Sequence, residues 1–226
     1  YELEAIVKST QSMVISQFEA EIYKGLGIEV NHYPYLPVAK IRKRLMAVRS
    51  KRMEKVINKH LFFLIGSVNH TTTYESFKWF IQNCQKSDLP KGIKIIVGGR
   101  ESDALGAEFP PIEGVEFLGK LEQEVLEAYL EEACAVLVPQ LSGFGAVTRI
   151  PEMACAGIPM IVSEHAAYAM PMPPGVKVVG DEWLQWTKAM IELRDHDLVA
   201  TLSDFLEWED QQPKPLIGTV KRLIRS

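Results

Sequence analysis

The sequence predicts an α/β protein built on a doubly wound, Rossmann-like, mainly parallel sheet with helices on both faces. Three observations carry that reading. Leu61–Ile65 is a short, continuous apolar run, the signature of a strand buried on both faces. Strand-like runs then alternate with amphipathic helical stretches, as parallel sheets with crossover helices require. Several of these strands end in Gly66-Ser67, Gly98-Gly99, Gly119, Pro139 and Ser163. Open α/β sheets bind their ligands beyond such carboxyl ends, near the point where strand order reverses.

The first 38 residues read as the remnant of a separate unit with its linker, and the Rossmann-like domain runs over 39–226. Within the remnant, Leu3–Lys8 is expected as a helix, Met13–Ile15 as a short strand, Phe18–Gly25 as a helix and Ile28–His32 as a strand. Pro34 and Pro37 break regular structure and set the boundary. Residues 39–59 form a long helix with Ile41, Leu45, Val48, Met53, Val56 and Ile57 along one side. After the Leu61–Ile65 strand come an amphipathic helix, Tyr74–Gln85, and two strands, Ile93–Val97 and Val115–Leu118. Glu122–Ala133 is a helix with acids on its exposed side, and Ala135–Val138 a strand stopped by Pro139. A helix carrying Arg149 and Glu152 ends at the Gly157-Ile158-Pro159 turn, which launches the strand Met160–Val162. Val176–Val179 completes the sheet. Asp181–Arg194, Leu198–Glu209 and Leu216–Ile224 close the chain as helices.

Composition excludes several classes. No apolar run approaches the length needed to span a bilayer, and no signal peptide opens the chain. Cys84, Cys134 and Cys155 are scattered and odd in number, which argues against a disulfide framework and for a reducing, cytoplasmic setting. None has a partner at metal-ligand spacing, so no metal site is expected. The net charge of −4 hides an asymmetry, because Lys40–Lys59 holds nine of the 25 basic residues and one of the 29 acids. One basic helix in an otherwise acidic chain argues against nucleic-acid binding. It leaves two uses for that helix: a solvated connector, or a peripheral contact with anionic lipid.

The densest chemistry lies in Ser142–Ser163. Gly143, Phe144, Gly145 and Ala146 form a loop whose small residues let a diphosphate approach the backbone N–H groups ahead of a helix. Arg149 and Glu152, three residues apart, share one face of that helix. The cation suits a phosphate and the carboxylate suits a pair of sugar hydroxyls; a nucleotide sugar offers both. The competing readings are a flexible turn and an intrahelical salt bridge on a solvated surface. Against the second, Ile150, Met153, Ala154 and Ala156 mark a largely buried helix. Gly66, Ser67, Asn69, Gly98 and Gly99 line the same expected mouth. In the loop after the first strand, helix capping accounts for Thr71–Thr73 and part of Asn69, with Asn69 and His70 as candidates for phosphate or an acceptor hydroxyl. Arg100 is a candidate base or ribose contact or an ordinary surface arginine. Glu164 and His165 read as an exposed loop, and Trp183 and Trp186 as core anchors.

From about Leu61 to Val179 the chain resembles the C-terminal, nucleotide-sugar-binding domain of GT-B glycosyltransferases, specifically the family 4 group of retaining enzymes. The resemblance rests on FFLIGSVNH, IKIIVGG, GVEFLGKLEQEVLEAYLEEACAVLVPQ and RIPEMACAGIPMIVS, which follow the family's order and spacing. It implies that Glu152 grips the donor ribose hydroxyls and that Arg149 lies near the diphosphate. It further implies that Gly145 and Ala146 offer N–H groups, and that Leu118, Gly119 and Lys120 cradle the base through their backbone. Met13–Pro37 resembles the last strand and helix of the partner domain, whose greater part is expected ahead of Tyr1. Two places depart from the family pattern. Phe144 stands where an acid often contacts the donor sugar, and Ser67, Asn69 and His70 occupy the loop where an arginine and a lysine are usual.

The activity this implies is transfer of a sugar from a nucleotide diphosphate sugar, such as a UDP- or GDP-sugar, to a carbohydrate, lipid or protein acceptor. Retention of configuration and independence of metal or other cofactor are part of the same expectation. The alternatives are a non-catalytic GT-B-like partner subunit and a nucleotide-sugar epimerase.

Overall fold

Two short strands, β1 (Met13–Val14) and β2 (Asn31–His32), pair in parallel around the helix α1 (Gln17–Gly25) that joins them. Six further strands are β3 (Asn58–Ile65), β4 (Lys94–Gly98), β5 (Val115–Gly119), β6 (Ala133–Val138), β7 (Met160–Ser163) and β8 (Val176–Val179). They form one all-parallel sheet in the order β5-β4-β3-β6-β7-β8. Counted from β3 this is 3-2-1-4-5-6, the doubly wound order, and it reverses between β3 and β6. The computed structural model describes residues 6, 8, 12–143, 145–196, 198 and 200–213.

The central strands read as unbroken apolar runs because helices cover both faces. Phe63, Val136, Val138, Met160 and Val162 point to one core, while Phe62, Leu64, Ile95, Leu137 and Ile161 point to the other. The second core is closed by α3 (Thr71–Lys86) and α8 (Trp183–Asp195). Phe77, Phe80, Ile81 and Cys84 of α3 recur at helical spacing on its buried face. Trp186 is fully buried and donates its indole N–H to the Gly180 carbonyl at 3.0 Å, packed edge-on to Phe80 and Trp79. Its role as a core anchor is as expected, and all three cysteines are buried free thiols.

The other core is closed by α2 (Ala39–Glu54), α5 (Gln123–Glu132), α6 (Arg149–Cys155) and α9 (Leu202–Gln211). Here the structure corrects the helix expected over 39–59, which ends at Glu54. Lys55 turns to extended backbone, and Asn58 already pairs with Ala133 in the sheet. Met53 and Val56, expected on the buried side, are exposed, while Arg49 and Arg52 are buried beside Leu45 and Val48. Arg49 donates to the Ala154 and Cys155 carbonyls at the end of α6 and to Ala200. Arg52 donates to the Leu130 and Ala133 carbonyls at 2.6 and 2.9 Å, at the end of α5. Each guanidinium thus fills the place where a helix leaves its last carbonyls unsatisfied and its dipole negative. Burial pushes Arg52 down to about 10.

Lys51 and Lys55 pair with the buried Glu131, Arg44 with Glu127 and Arg42 with Glu209. Most of the cations that suggested a lipid contact therefore face partners within the protein. Two short helices were not expected, α4 (Ser102–Gly106) and α7 (Glu164–Ala167), each only about a turn long. The strand expected over Ile28–His32 is confined to Asn31–His32. The helix expected over Leu216–Ile224, and four of the six residues of that over Leu3–Lys8, lie outside the described residues.

Candidate functional site at the sheet's carboxyl edge

The expected site residues leave the sheet from one edge. Gly66, Ser67 and Asn69 follow β3, Gly98 and Gly99 end β4 and start its loop, Leu118 and Gly119 end β5, and Lys120 follows it. Gly143, Gly145 and Ala146 lie in the loop after β6, and Arg149 and Glu152 on α6; Phe144 lies outside the described residues. The β3 and β6 loops flank the topological switch point, where a doubly wound sheet opens its crevice.

Arg149 sits at that crevice. Its Nη1 donates to the Ile65 carbonyl at the end of β3, 2.8 Å away, and its Nε is buried without a partner. A Cβ on Gly66 would stand 2.5 Å from this Nη1, so glycine there makes room for the guanidinium. Among the described residues no carboxylate lies within ion-pair distance of Arg149, and burial pushes its pKa down to about 10. Glu152 is half-buried and does not pair with Arg149 despite the i, i+3 spacing. Its Oε1 accepts the Tyr35 hydroxyl at 2.7 Å, across 117 residues of sequence. Burial first, then the Glu152 carboxylate, pushes the Tyr35 phenol up to about 12.

The β6 loop is braced from two sides. The buried Ser76 of α3 donates to the Thr72 carbonyl and accepts the Leu141 N–H at 3.1 Å. From the other side Ser163 donates to the Gln140 carbonyl, and His165 Nε2 lies 2.6 Å from the Gly143 carbonyl oxygen. His165 is thus half-buried on α7 and joined to the glycine loop, not the exposed loop residue expected; Glu164 is exposed. Gly143 has φ 89°, a conformation that favours glycine. Gly145 has no such need, and a Cβ there would meet nothing within 4 Å. The N–H groups of Gly143, Gly145 and Ala146 donate to no described residue. Val147 and Thr148 stand between this loop and α6, which begins at Arg149.

The remaining glycines zip strand ends together. The Gly66 N–H donates to the Gly98 carbonyl, the Gly99 N–H to Gly119 and the Val68 N–H to Arg100. Gly99 has φ 126°, and a Cβ on it would collide head-on with the Gly66 carbonyl oxygen. Gly99 is accordingly explained by close backbone approach and Gly98 by the Phe63 and Leu121 side chains packed against it, without a ligand. Leu118–Lys120 lies at the sheet's outer strand, two strands from β3. In the β3 loop Ser67 donates to Asn69 at 2.6 Å. His70 is the N-cap residue of α3 and makes no side-chain cap bond, while Thr71–Thr73 fall inside the helix, so the expected threonine cap is not formed. Arg100 is exposed.

Sequence reasoning missed Tyr35 and Ser76, and took Ser163 only as a strand end. Ser163 ends an apolar strand at the ligand edge, a signal available in the sequence; Tyr35 and Ser76 gave none. Among the described residues no group of three or more His, Cys, Asp or Glu side chains is placed to hold a metal ion, and no helix is long and apolar enough to cross a membrane.

No family model matches the sequence, and no curated protein matches it. Solved structures match the fold. HepE of Anabaena, in complex with UDP, aligns with 98% of this chain and 64% of its own, with a TM-score of 0.62 at 13% identity. WaaG, a glycosyltransferase involved in lipopolysaccharide biosynthesis, aligns with 91% of this chain and 60% of its own, with a TM-score of 0.59 at 18% identity. Sucrose-phosphate synthase from Thermosynechococcus elongatus aligns with 92% and 59%, with a TM-score of 0.57 at 15% identity. The chain spans about three fifths of the length of these structures. Its six-stranded parallel sheet, flanked by helices, has the Rossmann-like GT-B architecture of these glycosyltransferases.

Proposed function

We propose that this chain is the nucleotide-sugar-binding part of a glycosyltransferase of the family 4 type, which moves a sugar from a nucleotide diphosphate sugar to an acceptor with retention. The observation that carries the reading is the separation of Arg149 from Glu152. A cation and a carboxylate on one helix face would normally neutralise each other. Here the guanidinium bonds the β3 end with no carboxylate partner among the described residues, and the carboxylate accepts from Tyr35. Such an arrangement suits a ligand that is anionic at one point and rich in hydroxyls at another. Arg149 and the N–H groups of Gly143, Gly145 and Ala146 would receive the diphosphate, and Glu152 the ribose hydroxyls. Positioning, together with stabilisation of the departing diphosphate by fixed N–H donors and a cation, is how such a site accelerates transfer. Gly145 supports the reading, because neither its conformation nor its packing asks for glycine, whereas close approach of a ligand does. The UDP in the HepE complex is consistent with this donor class.

A non-catalytic GT-B-like partner subunit is the second reading. It is favoured by the β3 loop, where Ser67 is turned onto Asn69 and no arginine or lysine is supplied. Release of free nucleotide from a UDP- or GDP-sugar by the full-length protein separates the two. The test of the site itself is calorimetry with UDP, GDP and ADP on the wild type and on Glu152→Ala. At least one nucleotide is expected to bind the wild type, and the variant to bind it at least tenfold more weakly. Failure of all three to bind, or equal binding by the variant, removes the assignment.

A further inference from the structure

The Tyr35–Glu152 contact joins the segment between β2 and α2 to the candidate ribose carboxylate. We infer that Tyr35 is a positioning residue for ribose recognition, holding Glu152 in the orientation that the sugar hydroxyls meet. The inference rests on the nucleotide-sugar reading above.

Tyr35 is presented by a stiff support. Its neighbours Pro34 and Pro37 are buried, and proline fixes its own φ while keeping the preceding residue extended. The Tyr33 N–H donates to the Val14 carbonyl at 2.9 Å, and Leu36 packs against the core beneath α2 and α6. These anchors flank Tyr35 on both sides where it meets Glu152. Its hydroxyl donates to Oε1 at 2.7 Å, and no described residue donates to Oε2. An ionised carboxylate offers about four acceptor positions, so one phenol leaves room for both donors of a ribose diol. With its pKa pushed up to about 12, the phenol remains a donor throughout the neutral range. Without it, a half-buried glutamate would be free to change rotamer, and ordering that side chain would fall to the ligand. Arg149 does not serve this purpose, since it is bonded to Ile65.

The test is a coupling measurement by calorimetry on the full-length protein. Whichever of UDP, GDP and ADP binds tightest is compared with its 2′,3′-dideoxy analogue, on the wild type and on Tyr35→Phe. Phenylalanine keeps the ring and its packing. The variant is expected to bind the ribonucleotide about tenfold more weakly and the dideoxy analogue as the wild type does. Equal weakening for both ligands would make Tyr35 merely structural, and unchanged binding would make it irrelevant. Tighter ribonucleotide binding would make it a competitor that the ribose displaces. Any of these overturns the inference. If Glu152→Ala weakens binding while Tyr35→Phe does not, this inference alone fails; if the wild type binds none of the three nucleotides, the ribose site fails with it.

Discussion

Replacing Arg149 by methionine is expected to move stability and ligand affinity in opposite directions. A guanidinium whose pKa is pushed down to about 10 by burial is held charged at neutral pH at a penalty of about 3 kcal/mol. Part of the residue still meets solvent, which reduces this to about 2 kcal/mol. Methionine has a comparable reach and no charge, so it removes that penalty. It also leaves the Ile65 carbonyl without its donor, a loss of about 1 kcal/mol. The unliganded variant should therefore gain about 1 kcal/mol, seen as a higher urea midpoint at unchanged slope. The pH dependence has a definite sign. The folded-state pKa is the depressed one, so the unfolded chain binds more protons above pH 10 and wild-type stability rises there. The variant's advantage is complete below about pH 10 and shrinks above it. Affinity for UDP, GDP or ADP, whichever binds, should fall roughly ten- to a hundredfold, as expected for a lost charge-assisted bond. A variant that is less stable than wild type and binds nucleotide equally well would show Arg149 to be a structural cation and refute this reasoning.

Two further outcomes test the fold. Gly99→Ala forces a side chain into the Gly66 carbonyl at φ 126° and should lose about 3 kcal/mol or more in thermal unfolding, whereas Gly145→Ala, with open space around it, should change stability by less than about 1 kcal/mol. Burial disfavours the Glu131 carboxylate, yet Lys51 and Lys55 hold its pKa below the usual range. Its contribution is thus present above the unfolded-state pKa and lost as pH falls through the lower folded one. Glu131→Gln should flatten the acid limb of a stability–pH curve below about pH 4 and leave neutral-to-alkaline behaviour unchanged in shape.

The sheet was legible because its strands are short apolar runs, and burial on both faces leaves few other uses for Leu61–Ile65 or Ala135–Val138. The carboxyl edge was legible for the same reason, since glycine-, proline- and serine-marked strand ends locate it, whereas the strand order that puts the switch point between β3 and β6 comes from the structure. What sequence could not supply was the direction in which long side chains turn. Arg49 and Arg52 look like members of a solvated basic face, and only the carbonyl ends of α5 and α6, far along the chain, draw them inward. The same applies to Arg149 and Glu152, whose spacing predicts a pair but whose partners, Ile65 and Tyr35, lie on other elements. Gly98 and Gly99 mark a further limit. A glycine that admits a neighbouring backbone or side chain and one that admits a phosphate look alike in sequence, and here the Gly66 backbone beside Gly99 and the Phe63 and Leu121 side chains beside Gly98 suffice.

The middle and the carboxyl end of α6 are fixed by the stretch that precedes the sheet. Tyr35 holds Glu152 from one side, and Arg49 closes the helix's last carbonyls from the other. A fragment cut at the sheet's first residue, Asn58, would keep all six parallel strands and every glycine of the carboxyl edge. It would lose both anchors of the helix that carries the charged pair. The helix is therefore held by residues from both sides of the boundary expected near residue 38, Tyr35 ahead of it and Arg49 beyond it.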